Sequence, residues 1–375
     1  MKVKRFEKLG IEPSLLGFGC MRFPLTEDGK INEAEAEKMI DKAIASGVTY
    51  IDTAYPYHNG DSEPFVGKVL KKYRRDSFFL ATKLPVWKVN SQEEALKIFE
   101  DQLKRLDVEY VDFYLLHALD SEKWQKVIEY DLIGMCEKLR EAGKIRYLGF
   151  SFHDEYPVFK EILEYHNWDF CQLQLNYMDM DIQAGMKGYQ LAEKMQIPIV
   201  VMEPIKGGTL ASFQPDIEKI YKDYAPDSSI ASWALRYVGS LEGVMTILSG
   251  MSNIEQMNDN LNTMSDFKKI NHTEADLIHQ VTNQVLSYPT IPCTKCRYCT
   301  PGCPMNIQIP DLFTAYNSVK MYWANRRYDT YYKDHSTGDY QKASACIECG
   351  QCEGVCPQHL EIISLLKEVA EVFDK

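Results

Sequence analysis

The chain has 375 residues, 45% of them hydrophobic and 26% charged, with a formal net charge of −12. That length and apolar content suit one large domain plus a smaller one, and the negative charge weighs against a general nucleic-acid or anionic-membrane binder. No apolar run is long enough to cross a bilayer, and the opening Met-Lys-Val-Lys has no apolar signal stretch, so a cytoplasmic protein is expected.

Taken in order, apolar runs at 15–19, 48–51, 78–82, 111–116, 147–150, 170–175, 199–202 and 244–248 read as strands. Capped helical segments lie between most of them. Asn32 with Glu35 opens one helix, which Gly47 closes. Ser62 is expected to cap a helix beginning at Glu63, Ser91 with Glu94 opens one that runs to Leu106, and Gly143 ends another. Strands separated by helices predict a parallel sheet, and a right-handed crossover series of this length closes as a (β/α)8 TIM barrel. An open doubly wound sheet is the alternative. Its phosphate loop is poorly matched, because Gly17-Phe18-Gly19 runs into Cys20-Met21-Arg22 with no third glycine.

Near Tyr288-Pro289 the composition changes. Of eleven cysteines, Cys20, Cys136 and Cys171 stand alone, and the other eight fall in two tight groups beyond residue 290. We therefore expect a barrel over 1–288 and a small domain over 289–375. Leu312, Phe313, Tyr316, Val319, Met321 and Tyr322 are spaced for a helix, and another is expected after Leu360, so the small domain reads as mainly α-helical. The tyrosine-rich stretch 322–332 reads as packing and interface surface. Cys136 and Cys171 read as core residues, whereas Cys20, just past the first strand, is a candidate to line the barrel mouth.

Catalytic groups of barrels sit where strands end and βα loops begin. Those positions hold Asp52, Lys83, His117, Ser151, Gln172, Glu203 and the Ser249-Gly250 pair. With Tyr57, the first three form a set suited to proton transfer. An ammonium beside a phenol favours phenolate, and a carboxylate fixes the ammonium. An imidazole can hydrogen-bond a substrate carbonyl. His58 and His153 are expected to border the same pocket, and His359 to make local hydrogen bonds.

Ile51-Asp52-Thr53-Ala54, Tyr57, Gly60, Ser62-Glu63, Ala81-Thr82-Lys83 and Leu115-Leu116-His117 resemble the aldo-keto reductases in identity and order. The likeness continues through Gly149-Phe150-Ser151, Gln172-Leu173-Gln174-Leu175-Asn176 and Met202-Glu203-Pro204, over roughly residues 1–270. It implies that Asp52, Tyr57, Lys83 and His117 are the family's catalytic tetrad. Tyr55 competes as the phenol, but the offset from Asp52 favours Tyr57. The resemblance also implies an NADP or NAD site across the mouth and a small carbonyl or alcohol substrate. Ser151 and Gln172 would face the carboxamide. Glu203 joins the cofactor set, Gly207 and Gly208 allow close approach of the pyrophosphate, and Gly250, Gln256 and Asn260 lie on the segment that passes the adenosine end. That segment carries no Lys or Arg for a 2′-phosphate, which leaves the choice between NADH and NADPH open.

Cys293, Cys296, Cys299 and Cys303 precede Pro304, and Cys346, Cys349, Cys352 and Cys356 precede Pro357. Both runs read C-x2-C-x2-C-x3-C-P, the iron–sulfur signature of two-cluster bacterial ferredoxins. Zinc is the competitor, but its sites usually pair two separated C-x2-C units. Two [4Fe–4S] clusters are expected, the fourth cysteine of each run serving the other run's cluster. The pattern resembles the α-helical ferredoxin type appended to some aldo-keto reductases, with an electron-exchanging partner protein expected. Two rival readings stay open: an electron-transfer protein whose barrel is a docking scaffold with an idle tetrad, and clusters that serve only as structural staples.

Overall fold

A computed structural model of the chain describes residues 1–322 and 326–375, apart from the side chains of 326 and 327. It divides into two compact units, Met1–Gly207 with Ala231–His272, and Gly208–Ile230 with Thr273–Lys375. The change of composition at Pro289 lies inside the second unit, which also holds the helix Pro215–Tyr224 and nearly all of His272–Ser287.

In the first unit the strands are β1 (Leu16–Gly19), β2 (Tyr50–Asp52), β3 (Phe79–Leu84), β4 (Val111–Leu119), β5 (Ile145–Phe152), β6 (Phe170–Gln174), β7 (Ile199–Met202) and β8 (Val244–Ser249). Each pairs in parallel with the next, and β8 pairs with β1, so the sheet closes as a (β/α)8 barrel. The open-sheet alternative is excluded.

Side chains of a strand alternate between faces, and that period decides what reaches the interior. Tyr50, Ala81, Phe113, Leu115, Phe170, Val200 and Met245 pack together as one buried cluster. Phe113 is its hub, with ring centroids 4.9 Å from Tyr50, 5.0 Å from Tyr147 and 4.9 Å from Phe170. Two residues further along the same strands come Asp52, Lys83, His117 and Gln172. Apolar members thus fill the barrel, and the polar ones come out at its C-terminal end. Behind the sheet, the helices bury Met39, Ile40, Phe65, Phe99, Ile162 and Leu235 against its outer face.

Local signals account for most helix starts. Asn32 accepts from the Glu35 N–H, and Ser91 from the Glu94 N–H. The expected Ser62 cap is corrected: Asp61 precedes the helix Ser62–Leu70 without a side-chain cap bond. Ser62 lies inside, its hydroxyl 2.9 Å from that of Thr53. Cys136 and Cys171 are buried in the core, and Cys20 is buried as well.

Among the described residues the second unit has helices and no strand. Helices Ile309–Met321 and Ile362–Phe373 bury Ile309, Leu312, Phe313, Tyr316, Ile362, Leu366 and Val369 in a core of their own. The tyrosine-rich stretch 322–332 includes residues outside those described. Within it, Tyr332 stacks on Phe373 at 4.3 Å and Tyr322 is buried, both as packing residues.

Candidate active site and cysteine cavities

Lys83 is fully buried, and its ammonium is held from three sides. It donates to Asp52 Oδ1 at 2.6 Å, to the Thr53 carbonyl at 2.8 Å and to the Tyr57 hydroxyl at 3.4 Å. The Tyr57 ring meets the His117 ring edge-on at 6.1 Å, and the half-exposed Trp87 indole lies 5.1 Å from His117 on another side. Tyr55 turns elsewhere, beneath the Arg105 guanidinium at 4.2 Å. Two phenols close in sequence are thereby separated in role.

Burial pulls the Lys83 amine down, but Asp52 and Tyr57 outweigh it and hold the ammonium above its ordinary pKa. Burial lifts the Asp52 carboxyl, against the pull of Lys83. For Tyr57 the sequence-based expectation of a lowered phenol is reversed. Lys83 does pull it down, yet burial is the larger effect, and the net shift is upward. His117 falls well below the usual imidazole range, through burial first and the Lys83 charge second. Near neutral pH the site therefore presents a protonated phenol, an ammonium and a neutral imidazole.

A buried polar layer beneath Lys83 fixes its strand. Glu63, fully buried, accepts from Thr82 Oγ1 at 2.6 Å and from Gln102 Nε2 at 2.8 Å, with Arg105 at 3.3 Å. Gln102 also donates to the Lys83 carbonyl, and its own oxygen accepts from the Tyr114 hydroxyl. The role of Gln102 was not readable in advance. It is a polar residue inside an amphipathic helix, and only its burial distinguishes it. Unforeseen too is the end of β4, where the register to β5 shifts between Leu116 and Leu119 and Ala118 adopts φ +54°. Such irregularities re-aim side chains, and this one follows His117 directly. His58, also left-handed at φ +52°, brings its Nε2 within 3.2 Å of the Cys20 carbonyl and ties the Tyr57 turn to the chain after β1. His153 is exposed at the end of β5.

The residues expected at a cofactor divide into groups. Ser151 Oγ accepts from the Ala118 N–H at 2.7 Å, which leaves the hydroxyl proton free to donate. Gln172 has a buried Oε1 with no hydrogen-bond partner. A donor and an acceptor of this kind fit a carboxamide. Glu203 follows β7 with φ +53° and is half-buried, and Gly207 and Gly208 also have left-handed φ, 64° and 95°. At Gly250 an added Cβ would come within 2.6 Å of the Arg22 side chain, so glycine makes room for a cation that the sequence reading passed over. Gln256 Oε1 accepts from the Ser252 N–H, and Asn260 donates to Ser249 Oγ at 2.9 Å; both brace the loop after β8.

In the second unit the eight clustered thiols line two separate cavities. One is bounded by Cys293, Cys296, Cys299 and Cys356. The other is bounded by Cys346, Cys349, Cys352 and Cys303. Each cavity thus takes three thiols from one run and the fourth from the other. The loops are matched: Lys295 and Arg297 flank Cys296 with positive φ, as Glu348 and Gly350 flank Cys349. Successive turns of this kind point backbone N–H groups into a concavity that suits anions and iron–sulfur sites. The match extends past the prolines, where Asn306 and His359 are both left-handed and bond back to the Cys303 and Cys356 carbonyls.

A barrel with a buried lysine–carboxylate–phenol set at its mouth, joined to a helical unit with two four-thiol cavities, defines a redox enzyme. Residues 15–283 match the model of the aldo/keto reductase family, and the chain belongs to that family. Residues 292–361 match the 4Fe-4S dicluster domain. Over 316 residues the chain is 28% identical to the uncharacterized oxidoreductase YqkF of Bacillus subtilis (strain 168), covering 75% of this chain and 97% of that one. It is 36% identical over 150 residues to probable aldo-keto reductase 1 of Glycine max, a match that spans 38% of this chain and only 42% of the relative. Among solved structures, the holo form of aldo-keto reductase AKR11C1 from Bacillus halodurans superposes with a TM-score of 0.63 at 27% identity, over 75% of this chain and 96% of that one. Among the described residues no helix is long and apolar enough to cross a membrane.

Proposed function

We propose that residues 1–288 interconvert a carbonyl and an alcohol by NAD(P)(H)-dependent hydride transfer, with Tyr57 as general acid or base, and that residues 289–375 hold two [4Fe–4S] clusters for one-electron traffic with a redox partner. The observation that carries the first part is the Lys83 ammonium, fixed by Asp52 and within reach of the Tyr57 hydroxyl. In the reducing direction Tyr57 gives its proton to the substrate oxygen, and Lys83 stabilises the phenolate left behind. His117, neutral, orients the carbonyl from the side. Trp87 supplies an apolar wall beside it.

A nicotinamide nucleotide supplies or takes the hydride when bound. Ser151 and Gln172 hold its carboxamide, one donating and the other accepting, and Arg22 offers a charge for its phosphates. Glu203, Gly207, Gly250, Gln256 and Asn260 shape the rest of that site. The match to a 4Fe-4S dicluster domain supports clusters over a zinc ion, and the lining of the two cavities supports the exchange of fourth ligands.

The test is Tyr57→Phe in the anaerobically prepared full-length protein, assayed on a panel of aldehydes and ketones. Removing the acid should slow reduction by about 10²–10⁴-fold while nicotinamide binding persists. Unchanged turnover would end the tetrad assignment. Absence of nicotinamide binding in the parent would favour the electron carrier with an idle barrel.

A further inference from the structure

We propose that the two cysteine sites, taken as above to hold one [4Fe–4S] cluster each, differ in ease of reduction. The site of Cys293, Cys296, Cys299 and Cys356 takes an electron first. The two loops share one backbone shape, with positive φ on both sides of the middle cysteine, so their backbone N–H groups contribute alike. What differs is the side chains carried on that common frame. Where the first run has Lys295, Arg297 and Thr300, the second has Glu348, Gly350 and Glu353. Reduction of a cluster adds one negative charge, with no bond broken and no proton taken. Nearby cations and hydrogen-bond donors favour that state, and carboxylates oppose it.

Arg297 lines the first cavity, while no charged side chain lines the second. Beside Cys299, the buried Thr300 hydroxyl donates to the Cys299 sulfur. Lys295 is exposed next to Cys296. Two partners work against the difference: Asp311 pairs with Arg297 at 2.8 Å, and Lys367, which also interacts with Cys346, pairs with Glu348 at 2.8 Å, which leaves Lys295 at the first site against Glu353 at the second. Asp311 and Lys367 do not line the cavities. Glu353, half-buried next to Cys352, accepts the Ile363 N–H. An electron delivered by a low-potential one-electron donor therefore comes to rest at the Arg297 end of the pair.

The experiment is an anaerobic redox titration of the full-length protein with dithionite and mediators, followed by electron paramagnetic resonance. Iron and sulfide content, measured first, tests the two-cluster reading on its own. The parent should give two resolved one-electron waves. Lys295→Gln with Arg297→Gln should make the easier reduction about tenfold less favourable, about 59 mV, and leave the harder one in place. Lys295→Gln alone, which leaves the Arg297–Asp311 pair intact, should move the same wave by less. Glu348→Gln with Glu353→Gln should ease only the harder reduction. Coincident waves in the parent, or a shift of the harder wave on removing Lys295 and Arg297, would overturn the proposal.

Discussion

Tyr57 owes its proposed role to the balance of two opposing influences on one hydroxyl. Burial raises its pKa, Lys83 lowers it, and burial is the larger. The sign of the pH dependence follows. A phenol with a raised pKa is protonated throughout the neutral range, so carbonyl reduction holds as pH rises and fails only on the alkaline side. Alcohol oxidation, which needs the phenolate, climbs over the same alkaline interval. His117 is depressed far enough to add no step near the ordinary imidazole value of about 6.5. Profiles of kcat/KM in both directions check this. An inflection near that value, abolished by His117→Gln, would mean that the imidazole works charged. That Asp52, Tyr57, Lys83 and His117 come together was legible from the order of their motifs and the strand ends of a barrel. The direction of the Tyr57 shift was not, since it depends on how completely the folded chain excludes water from that oxygen. Tyr55 shows the same limit: nothing local reveals that Arg105 covers its ring.

At the scale of strands and helices, the positions that matter most are those with no side chain to spare. Gly149 in β5 faces Phe170 in β6. An added Cβ there would fall 2.5 Å from the Phe170 carbonyl oxygen and 2.6 Å from its ring. Gly149→Ala should therefore push Phe170 off the interior cluster and cost about 1–3 kcal/mol, measured by urea unfolding. Ser151 follows on the same face, so the variant should also weaken nicotinamide binding; a fully stable protein with unaltered affinity would contradict this account. Strand positions and the closure of the barrel were readable from apolar runs and crossovers. The kink at Ala118 was not, because an alanine with left-handed φ carries no compositional mark. Ser62 was misread for a related reason: a hydroxyl before an acidic residue looks like a cap until Thr53 and the Cys20 carbonyl claim it.

For the whole molecule, the two four-cysteine runs were visible in the spacing, and their resemblance to two-cluster ferredoxins implied the exchange of last members with which the cavity linings agree. Less visible was the inclusion of 208–230 with the C-terminal segment, since no break in composition marks it. The lining of the cavities makes a sharp expectation. Cys356→Ser lies in the second run, yet it should damage the cluster of the first run and leave the other spectroscopically intact. Electron paramagnetic resonance of the reduced variant, together with its iron content, checks the assignment. Loss confined to the second run's own cluster would refute it.

The shared lining also constrains how the protein can be made. Cys356 completes a site begun at Cys293, and Cys303 completes one begun at Cys346. During synthesis neither site has its full set of thiols until the second run has left the ribosome. A group held by all four thiols of either site can be inserted only after that point, and a message truncated ahead of Cys346 yields a product that can finish neither.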